Sequence, residues 1–297
     1  KALSKTNTKI GVNEPFKNLF TQGMVCHETY KDQNGNWLYP EEVEKFNGKI
    51  VKKSDKSKVL VGQQESMSKS KKNTIDPETM IQQFGADAIR WFILSDSPPE
   101  KDVQWSATGV ASANKFLQKV WNLNYLISIR ENKKVDKKLE VKFNLQINNF
   151  VNKIDSSINQ FRFNVSIAHF YELYKLFKDN LESQIGSVVI KNNMIKIMKL
   201  MIPFTPHLAN ECLELLNCKN VDNWPIIDKK NLLDEVKLAI QINGKTRDIL
   251  LIKKDLMETE INKIILKKSR AKKYIEQKKI VKTIFVKNKI INYIVSN

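Results

Sequence analysis

The middle of the chain carries apolar residues at the spacing of amphipathic helices. Between residues 106 and 216 they recur every three or four positions, so they fall on one face of each helix. Each apolar face must be covered by another, and the economical arrangement is a helical bundle, interrupted at Pro203 and Pro206. The stripes consist of Val110, Ala113, Phe116, Leu117, Val120 and Trp121; Phe150, Ile154, Ile158 and Phe161; Ile190, Met194, Ile197, Met198 and Met201; and Leu208, Cys212, Leu215 and Leu216.

Two further helices are predicted just before the bundle. Asp76 can accept the free N–H groups of an opening turn, Pro77 suits its first position, and Gly85 can end the helix. The second helix is predicted from residue 86 to about residue 94. Ser106 then opens the first long helix of the bundle.

A β-type region precedes these helices. Leu19–Cys26 has the composition of an apolar strand. Residues 27–62 then alternate short β-type runs with turn signals such as Asn34-Gly35 and Asn47-Gly48. The pattern predicts a small β-hairpin insertion.

A second β-type region closes the chain. Asn243-Gly244 separates two apolar runs and is a strong hairpin signal. Helical stretches are predicted around Glu258–Lys268 and Ser269–Gln277, and strands at Ile280–Val286 and Ile290–Val295. The order predicts a separate ββααββ domain.

These patterns together predict a mainly α fold with α/β ends. We expect three domains, over residues 1–100, 101–228 and 235–297. The composition agrees with a folded chain, since 41% of the 297 residues are hydrophobic and 9% are aromatic. The sequence has neither a run of about 18 uncharged apolar residues nor a secretory leader, so we expect a cytoplasmic protein that does not enter a membrane.

The charge of the chain favours a polyanionic partner. The formal net charge is +18, and only five of the 50 cations are Arg, which favours attraction to phosphates over forked recognition of bases. Codon bias toward lysine in an AT-rich genome is an alternative explanation of the general excess. Residues 237–297, however, hold sixteen Lys and Arg against five Asp and Glu, a net charge of +11. This concentration favours a nucleic-acid-binding appendage.

The cysteines give no sign of a disulfide framework or a zinc site. Cys26, Cys212 and Cys218 form no C-x-x-C pair, and the three histidines are scattered. We therefore expect reduced thiols and no bound metal.

The candidate chemistry lies between Glu65 and Asn73, where three lysines fall within four residues among serines. Bulky side chains are nearly absent, so the loop cannot bury itself and its cations are free to bind a triphosphate. When a carboxylate attacks the α-phosphate of ATP, negative charge grows on the pyrophosphate, and cations that meet it in the transition state raise the rate. Such a loop alone is more often a solvated surface segment, and its context decides.

In its context, Met67-Ser68-Lys69-Ser70-Lys71 resembles the Lys-Met-Ser-Lys-Ser signature of class I aminoacyl-tRNA synthetases. The resemblance implies that Lys69 contacts the phosphates of ATP, supplied with Mg²⁺, and that Met67, Ser68, Ser70 and Lys71 shape the ATP-binding loop. The same family's leucyl, isoleucyl, valyl and methionyl branch has a stretch after the signature that is similar to Asn73, Ile75-Asp76-Pro77, Phe84-Gly85-Ala86-Asp87, Arg90 and Pro98.

One residue departs from the signature. Ser66 stands where its first lysine usually lies, so that lysine is absent from this position. Lys71 and Lys72 are the candidates to substitute for it.

Wider matches point to the leucine-specific branch. They are Gln22-Gly23-Met24-Val25, the hairpin insertion, Trp105, Gly109-Val110, Asn114, Phe116-Leu117, Phe163-Asn164, Ala168, Pro203-Phe204-Thr205-Pro206-His207 and Gln241-Ile242-Asn243-Gly244-Lys245. They imply that residues 1–100 are the end of a Rossmann-type catalytic domain with its loop at 65–73, followed by an anticodon-binding-type bundle and a small C-terminal domain. The implied partners are ATP, leucine and tRNA(Leu), with Lys245 and Arg247 as candidate tRNA contacts, in a monomer.

The motifs for the amino-acid pocket and the rest of the ATP site are missing, so we expect a C-terminal fragment that is inert alone. Two alternatives remain open. One is a fragment of a valyl, isoleucyl or methionyl enzyme, against which the absence of a C-x-x-C pair and the terminal ββααββ pattern count. The other is a stand-alone tRNA-binding module without catalysis.

Overall fold

The computed structural model describes residues 16–131, 134–227, 235–276 and 278–296. Contacts divide the chain into two compact units, residues 1–228 and 229–297. The predicted domain limits at residues 1, 228 and 297 lie outside the described residues, as does Gln277 at the end of a predicted helix. The described part is mostly helical with three small sheets, and it contains no helix long and apolar enough to cross a membrane.

The first unit begins with a sheet built around one strand, β1. β1 (Val25–Lys31) pairs antiparallel with β2 (Trp37–Leu38) and β5 (Leu60–Ser66), and parallel with β6 (Val103–Gln104). The predicted strand at Leu19–Cys26 starts too early, because the chain before β1 lies outside the sheet and Leu19 is 90% exposed.

The segment between β2 and β5 carries its own hairpin. β3 (Val43–Phe46) and β4 (Lys49–Lys52) are joined at Asn47 and Gly48, which both adopt positive φ angles, +47° and +79°. This is the geometry of the tight turn that the Asn-Gly pair predicts. Four side chains form a separate small core under it: Tyr30, Leu38, Val43 and Val59.

Seven helices make up the rest of the described first unit. They are α1 (Pro77–Phe84), α2 (Ala86–Asp96), α3 (Ala107–Ser128), α4 (Lys137–Asn159), α5 (Phe163–Asn180), α6 (Ser187–Met201) and α7 (Pro206–Leu215). Asp76 accepts hydrogen bonds from the first N–H groups of α1, and Gly85 ends that helix at φ +80°. Ser106 caps α3 through the N–H of Gly109. The end signals in the sequence therefore act as predicted.

The apolar stripes form one core, except at Trp121, Phe161 and the half-buried Leu215. Every member of the stripe on α6 is buried, as are those of α3 up to Val120. Trp121 is 38% exposed, and Phe161 is 50% exposed with φ +57°. The prediction for Phe161 is wrong because this residue lies in the turn between α4 and α5, where helical periodicity no longer applies.

Helix α2 lies inside this same core. The indole ring of Trp91 is fully buried, with the rings of Phe116, Phe170 and Phe204 at centroid distances of 5.4, 5.8 and 6.4 Å. Its Nε1–H donates to the hydroxyl of Tyr171 at 3.2 Å. The segment that follows the lysine loop is thereby packed into the bundle.

The second unit is a four-stranded sheet covered on one face. Its strand order is β8 (Lys245–Lys253), β7 (Glu235–Ile242), β10 (Ile290–Val295) and β9 (Ile280–Val286), with β7 and β10 parallel. Helix α8 (Glu258–Lys268) and a 3₁₀ turn at Arg270–Tyr274 pack on it. The second helical stretch is thus shorter and tighter than the sequence predicts.

Candidate functional site

The lysine loop leaves the sheet where β5 ends. The last residue of β5, Ser66, is paired with Cys26 of β1, and the N–H of Met67 donates to the carbonyl of Val25 at 3.0 Å. Since β1 is the central strand of its sheet, the loop starts from a fixed point.

Ser68 organises the loop itself. It caps a single 3₁₀ turn, Lys69–Lys71, and its Oγ accepts the N–H of Lys71 at 3.3 Å. The same oxygen lies 2.8 Å from the hydroxyl of Ser70. Lys72 then reverses the chain in the left-handed region, at φ +52°. The loop is a tight closed turn and not an extended strand.

The three lysines have different surroundings. The ammonium of Lys71 is paired with the carboxylate of Glu65, and that of Lys72 lies 5.2 Å from the centre of the Tyr39 ring. Lys69 is exposed, and within the described residues its ammonium has no hydrogen bond or ion pair. Lys69 is therefore the loop cation that is available to an incoming anion.

The side chain of Asn73 joins the two ends of the loop to strand β1. Its side chain is completely buried. Its Oδ1 accepts the N–H of Ser68 at 2.8 Å, and its Nδ2 faces the carbonyl oxygens of His27, Glu65 and Ser66 at 3.3, 3.1 and 3.4 Å. The two ends of the loop and the neighbouring strand β1 thus meet at one amide group.

Helix α1, directly after the loop, has a fixed start. The hydroxyl of Thr79 donates to Asp76 at 2.7 Å and, with the N–H of Glu78, holds the pKa of the Asp76 carboxyl below its ordinary value. The carboxylate form is the one that caps a helix, so the cap persists at neutral pH.

Helix α2 contacts the segment that leads into α7, although the two are more than 100 residues apart in sequence. The carboxylate of Asp87 lies 3.0 Å from Nδ1 of His207 and accepts the N–H of Leu208 at 2.7 Å. The guanidinium of Arg90 donates to the carbonyls of Pro203 and Phe204 at 2.6 and 3.1 Å. The landmarks noted around residues 84–90 and 203–207 therefore bind each other.

Lys245 and Arg247 lie on β8 in the second unit, and both are exposed. The guanidinium of Arg247 stands 4.6 Å from the centre of the Tyr274 ring, and the ammonium of Lys273 lies 5.1 Å from the same ring. Next to Arg247, Asp248 accepts the hydroxyl of Ser269 at 2.6 Å, and this contact holds the pKa of its carboxyl below the ordinary value. Two cations of the second unit, Arg247 and Lys273, thus lie against the ring of Tyr274.

Sequence reasoning gave no role to three residues that shape these sites. In the sequence, Glu65 marks only an end of the loop, Asn73 enters only as its other end and as one match to the family stretch, and Tyr274 is not singled out at all. An asparagine just before the Ile75-Asp76-Pro77 helix start was the one available signal, because a buried amide can serve as both donor and acceptor. Among the described residues, no group of three or more His, Cys, Asp or Glu side chains is arranged to hold a metal.

Two family models match parts of this chain. The family model for the anticodon-binding domain of tRNA ligase matches residues 140–262, and that for class I tRNA synthetases (I, L, M and V) matches residues 56–106. The latter range includes the lysine loop, α1 and α2.

Relatives of this chain are leucine–tRNA ligases. The chain is 40% identical over 295 residues to the leucine–tRNA ligase of Rickettsia massiliae, covering 96% of this chain and 35% of that protein. It is 42% identical over 296 residues to that of Orientia tsutsugamushi, covering 96% of this chain and 34% of the relative. The chain thus spans about a third of the length of the curated relatives it matches.

A solved structure shares the fold. It is the ternary complex of the agnB2 LeuRS of Agrobacterium radiobacter K84 with tRNA and LeuAMS, with a TM-score of 0.68 and 23% identity, covering 100% of this chain and 36% of that one. The sequence relatives and the two family models together show that the chain is homologous, along nearly its whole length, to leucine–tRNA ligases, which are class I tRNA synthetases.

Proposed function

We propose that this chain is the C-terminal part of a cytoplasmic, monomeric enzyme that uses ATP to join leucine to tRNA(Leu) through leucyl-adenylate. Residues up to about 100 form the end of its Rossmann-type catalytic domain with a β-hairpin insertion, residues 101–228 form a tRNA-binding bundle, and residues 235–297 form a second tRNA-binding domain. The coverage of only about a third of each relative supports the view that the chain is inert alone.

The observation that carries the catalytic part is the free ammonium of Lys69. It lies on a closed loop whose start is bonded to β1 and β5, and it is exposed. Within the described part of the chain, it has no partner to leave before it meets the phosphates of ATP, and the closed loop fixes the position of its backbone. Such preorganised charge stabilises a transition state more than a mobile charge does.

Formation of leucyl-adenylate requires mainly correctly placed positive charge from this loop. The carboxylate of leucine attacks the α-phosphate, a bond to the α-phosphate forms, and pyrophosphate departs with its electron pair. We assign to Lys69 the stabilisation of the charge that grows on this leaving group, while Met67, Ser68 and Ser70 shape the loop. Mg²⁺ arrives with ATP, and the leucine pocket belongs to the part of the enzyme that precedes this chain.

The structure also bears on the substitution at Ser66. Of the two candidate substitutes for the missing lysine, Lys72 is turned toward Tyr39 of the insertion, whereas Lys71 stays beside β5 in its pair with Glu65. Both members of that pair are 40% exposed, and exposed pairs contribute only about 0–1 kcal/mol. Lys71 can therefore be released to a polyphosphate, and we propose it as the second cation of the loop.

A chimaeric ligase tests this assignment. In it, the present chain replaces the matching third of the Orientia tsutsugamushi leucine–tRNA ligase, and ATP–pyrophosphate exchange is measured with leucine, isoleucine, valine and methionine in turn. We expect exchange with leucine, and none from the chain alone. Exchange with another of these amino acids would instead favour the corresponding branch of the family.

Substitutions in this chimaera test the role of the loop. Lys69→Ala should slow exchange by roughly 10²–10³, the scale for removing one preorganised charge donor. Lys71→Ala should cost less, about tenfold, because Lys71 must first leave Glu65. Lys45→Ala, which removes an exposed lysine on β3, is the matched control and should leave the rate unchanged. Unchanged exchange in Lys69→Ala would reject the role of Lys69.

The basic second unit supports a role in binding tRNA. Its net charge of +11 over residues 237–297 attracts phosphates, and Arg247 is held in place over Tyr274. We expect the chain alone to bind tRNA(Leu) with an affinity that falls steeply with salt. Arg247→Ala and Lys245→Ala should each weaken binding and lower the slope of log K against log salt by about 1.

The same charge favours a second candidate, a stand-alone tRNA-binding module. The two hypotheses separate in one pair of measurements. An inactive chimaera that folds, combined with tight tRNA binding by the chain alone, would favour the module, whereas leucine-dependent exchange favours the ligase.

A further inference from the structure

Asn73 stands out among the polar residues of the first unit. Its side chain is fully buried although it adjoins an exposed loop. Both halves of the amide are used, since Oδ1 accepts one backbone N–H and Nδ2 faces three backbone carbonyls at 3.1–3.4 Å. A buried side chain that contacts four main-chain groups through both halves of its amide organises the backbone around it.

The site uses both a donor and an acceptor on one side chain. An aspartate would keep the acceptor for the N–H of Ser68 but would turn an oxygen toward the carbonyls of His27, Glu65 and Ser66. An alanine would remove the acceptor of the Ser68 N–H and the donor that faces the three carbonyls, and an unpaired buried polar group is costly. The donor and the acceptor halves of Asn73 can therefore be tested separately.

The contacts of Asn73 lie at the places that determine where Lys69 stands. The N–H of Ser68 is fixed by Oδ1, and Ser68 is the cap from which the turn carrying Lys69 begins. The carbonyls of Glu65 and Ser66 belong to the end of β5, and that of His27 belongs to β1. The loop has few apolar contacts of its own, so these polar bonds hold it against the sheet.

We infer that Asn73 is the positioning residue of the loop: it ties the base of the turn to β5 and β1 and so sets the place of the Lys69 ammonium. The inference rests on the proposed role of Lys69 in ATP chemistry. Asn73 touches no substrate in this scheme and acts only through Lys69.

Kinetics of the chimaeric ligase test the inference. Asn73→Ala and Asn73→Asp should each lower kcat/KM for ATP in pyrophosphate exchange by about 10–100-fold, since displacing a catalytic group by about 1 Å costs up to about 100-fold. The affinity for tRNA(Leu) should stay the same. A loss of less than about twofold in both variants would overturn the inference.

A matched control separates positioning from general loss of structure. Asn124 is also fully buried, and its Nδ2 donates to the carbonyl of Cys212 at 3.2 Å, but it lies in α3, in the core of the bundle. Asn124→Ala should affect exchange only by lowering the folded fraction, with tRNA binding reduced in proportion.

A double variant tests whether Asn73 acts through Lys69. Adding Asn73→Ala to Lys69→Ala should lower the exchange rate by less than about a further twofold, because both changes remove the same effect. Full multiplication of the two losses would contradict action through Lys69.

A measurement on the chain itself keeps the inference separate from the proposed function. Amide hydrogen exchange at Ser68 should be slow in the unmodified chain, fast in Asn73→Ala, and unchanged in Asn124→Ala. If the unmodified chimaera shows no pyrophosphate exchange, the ligase proposal fails, and hydrogen exchange still decides on Asn73. Unchanged protection of Ser68 in Asn73→Ala would then refute the positioning role.

Discussion

Removal of the indole ring of Trp91 should destabilise the whole first unit. The ring is fully buried between α3, α5 and the Pro203–Pro206 segment, and its N–H is bonded to Tyr171. Truncation of a buried Trp to Ala costs about 3–5 kcal/mol, through the lost burial and the cavity left behind. In Trp91→Ala, the hydroxyl of Tyr171 also loses its donor.

Intrinsic tryptophan fluorescence in urea measures this loss selectively. All five tryptophans of the chain precede residue 229, so their emission reports on the first unit and not on the second. With a urea dependence of about 3 kcal/mol per molar, a loss of 3–5 kcal/mol lowers the unfolding midpoint by about 1–1.7 M. The four remaining tryptophans still report the transition in Trp91→Ala.

Trp121→Ala is the control for this experiment. Trp121 lies on α3 and is 38% exposed, so its replacement by alanine should lower the free energy of unfolding by only about 1 kcal/mol. If Trp91→Ala lowered the midpoint no more than Trp121→Ala does, α2 would not be a part of the bundle core, and our account of how the loop is supported would fail.

Three further predictions concern titratable groups. Burial raises the pKa of the Cys212 thiol to about 12, so iodoacetamide should label the half-buried Cys218 of the native chain and spare Cys212 until urea unfolds it, as peptide mass spectrometry will show. The hydroxyl of Ser269 lowers the pKa of Asp248, so the carboxylate stabilises the fold above pH 3.8 and this contribution is lost as the pH falls through the lower, folded-state pKa. In Asp248→Asn, the protection of β8 amides from hydrogen exchange should therefore fall less on acidification. Burial, beside two asparagines, lowers the pKa of Lys196, so between that pKa and 10.5 the unfolded chain binds more protons than the folded chain. The urea midpoint should therefore rise with pH over this range, and this rise should be absent in Lys196→Met.

Apolar periodicity predicted the bundle because burial and helix geometry are coupled. The stripe on α6 is buried throughout, and the capping residues Asp76 and Ser106 lie at the ends they indicate. The failures occur where helices end. Phe161 continues the spacing of α4 but follows its last residue, and the stretch from Ser269 becomes a 3₁₀ turn at Arg270–Tyr274. Spacing alone carries no information about where the backbone leaves the helix.

The sequence predicts where the candidate loop lies but not which contacts hold it. The sequence located the loop because lysines and serines without apolar neighbours stand out, whereas the contacts of Asn73 depend on strand pairing between residues about 40 positions apart. Likewise, the stacking of Arg247 on Tyr274 joins β8 to a turn 27 residues later. Such contacts follow from the register of a sheet, which local patterns do not specify.

The three lysines of the loop look equivalent in sequence, and the fold makes them unequal. Lys71 is paired with Glu65, and Lys72 is half-buried beside the ring of Tyr39, whereas Lys69 is exposed and has neither contact, so it is the loop lysine most open to an approaching anion. A triphosphate that first meets Lys69 carries several negative charges, and at a few ångströms each of them attracts Lys71 about as strongly as Glu65 does. The weak, half-exposed pair is then outweighed. Under the proposed function, Lys69 therefore engages first and Lys71 second, which is why their replacement by alanine should not cost the same.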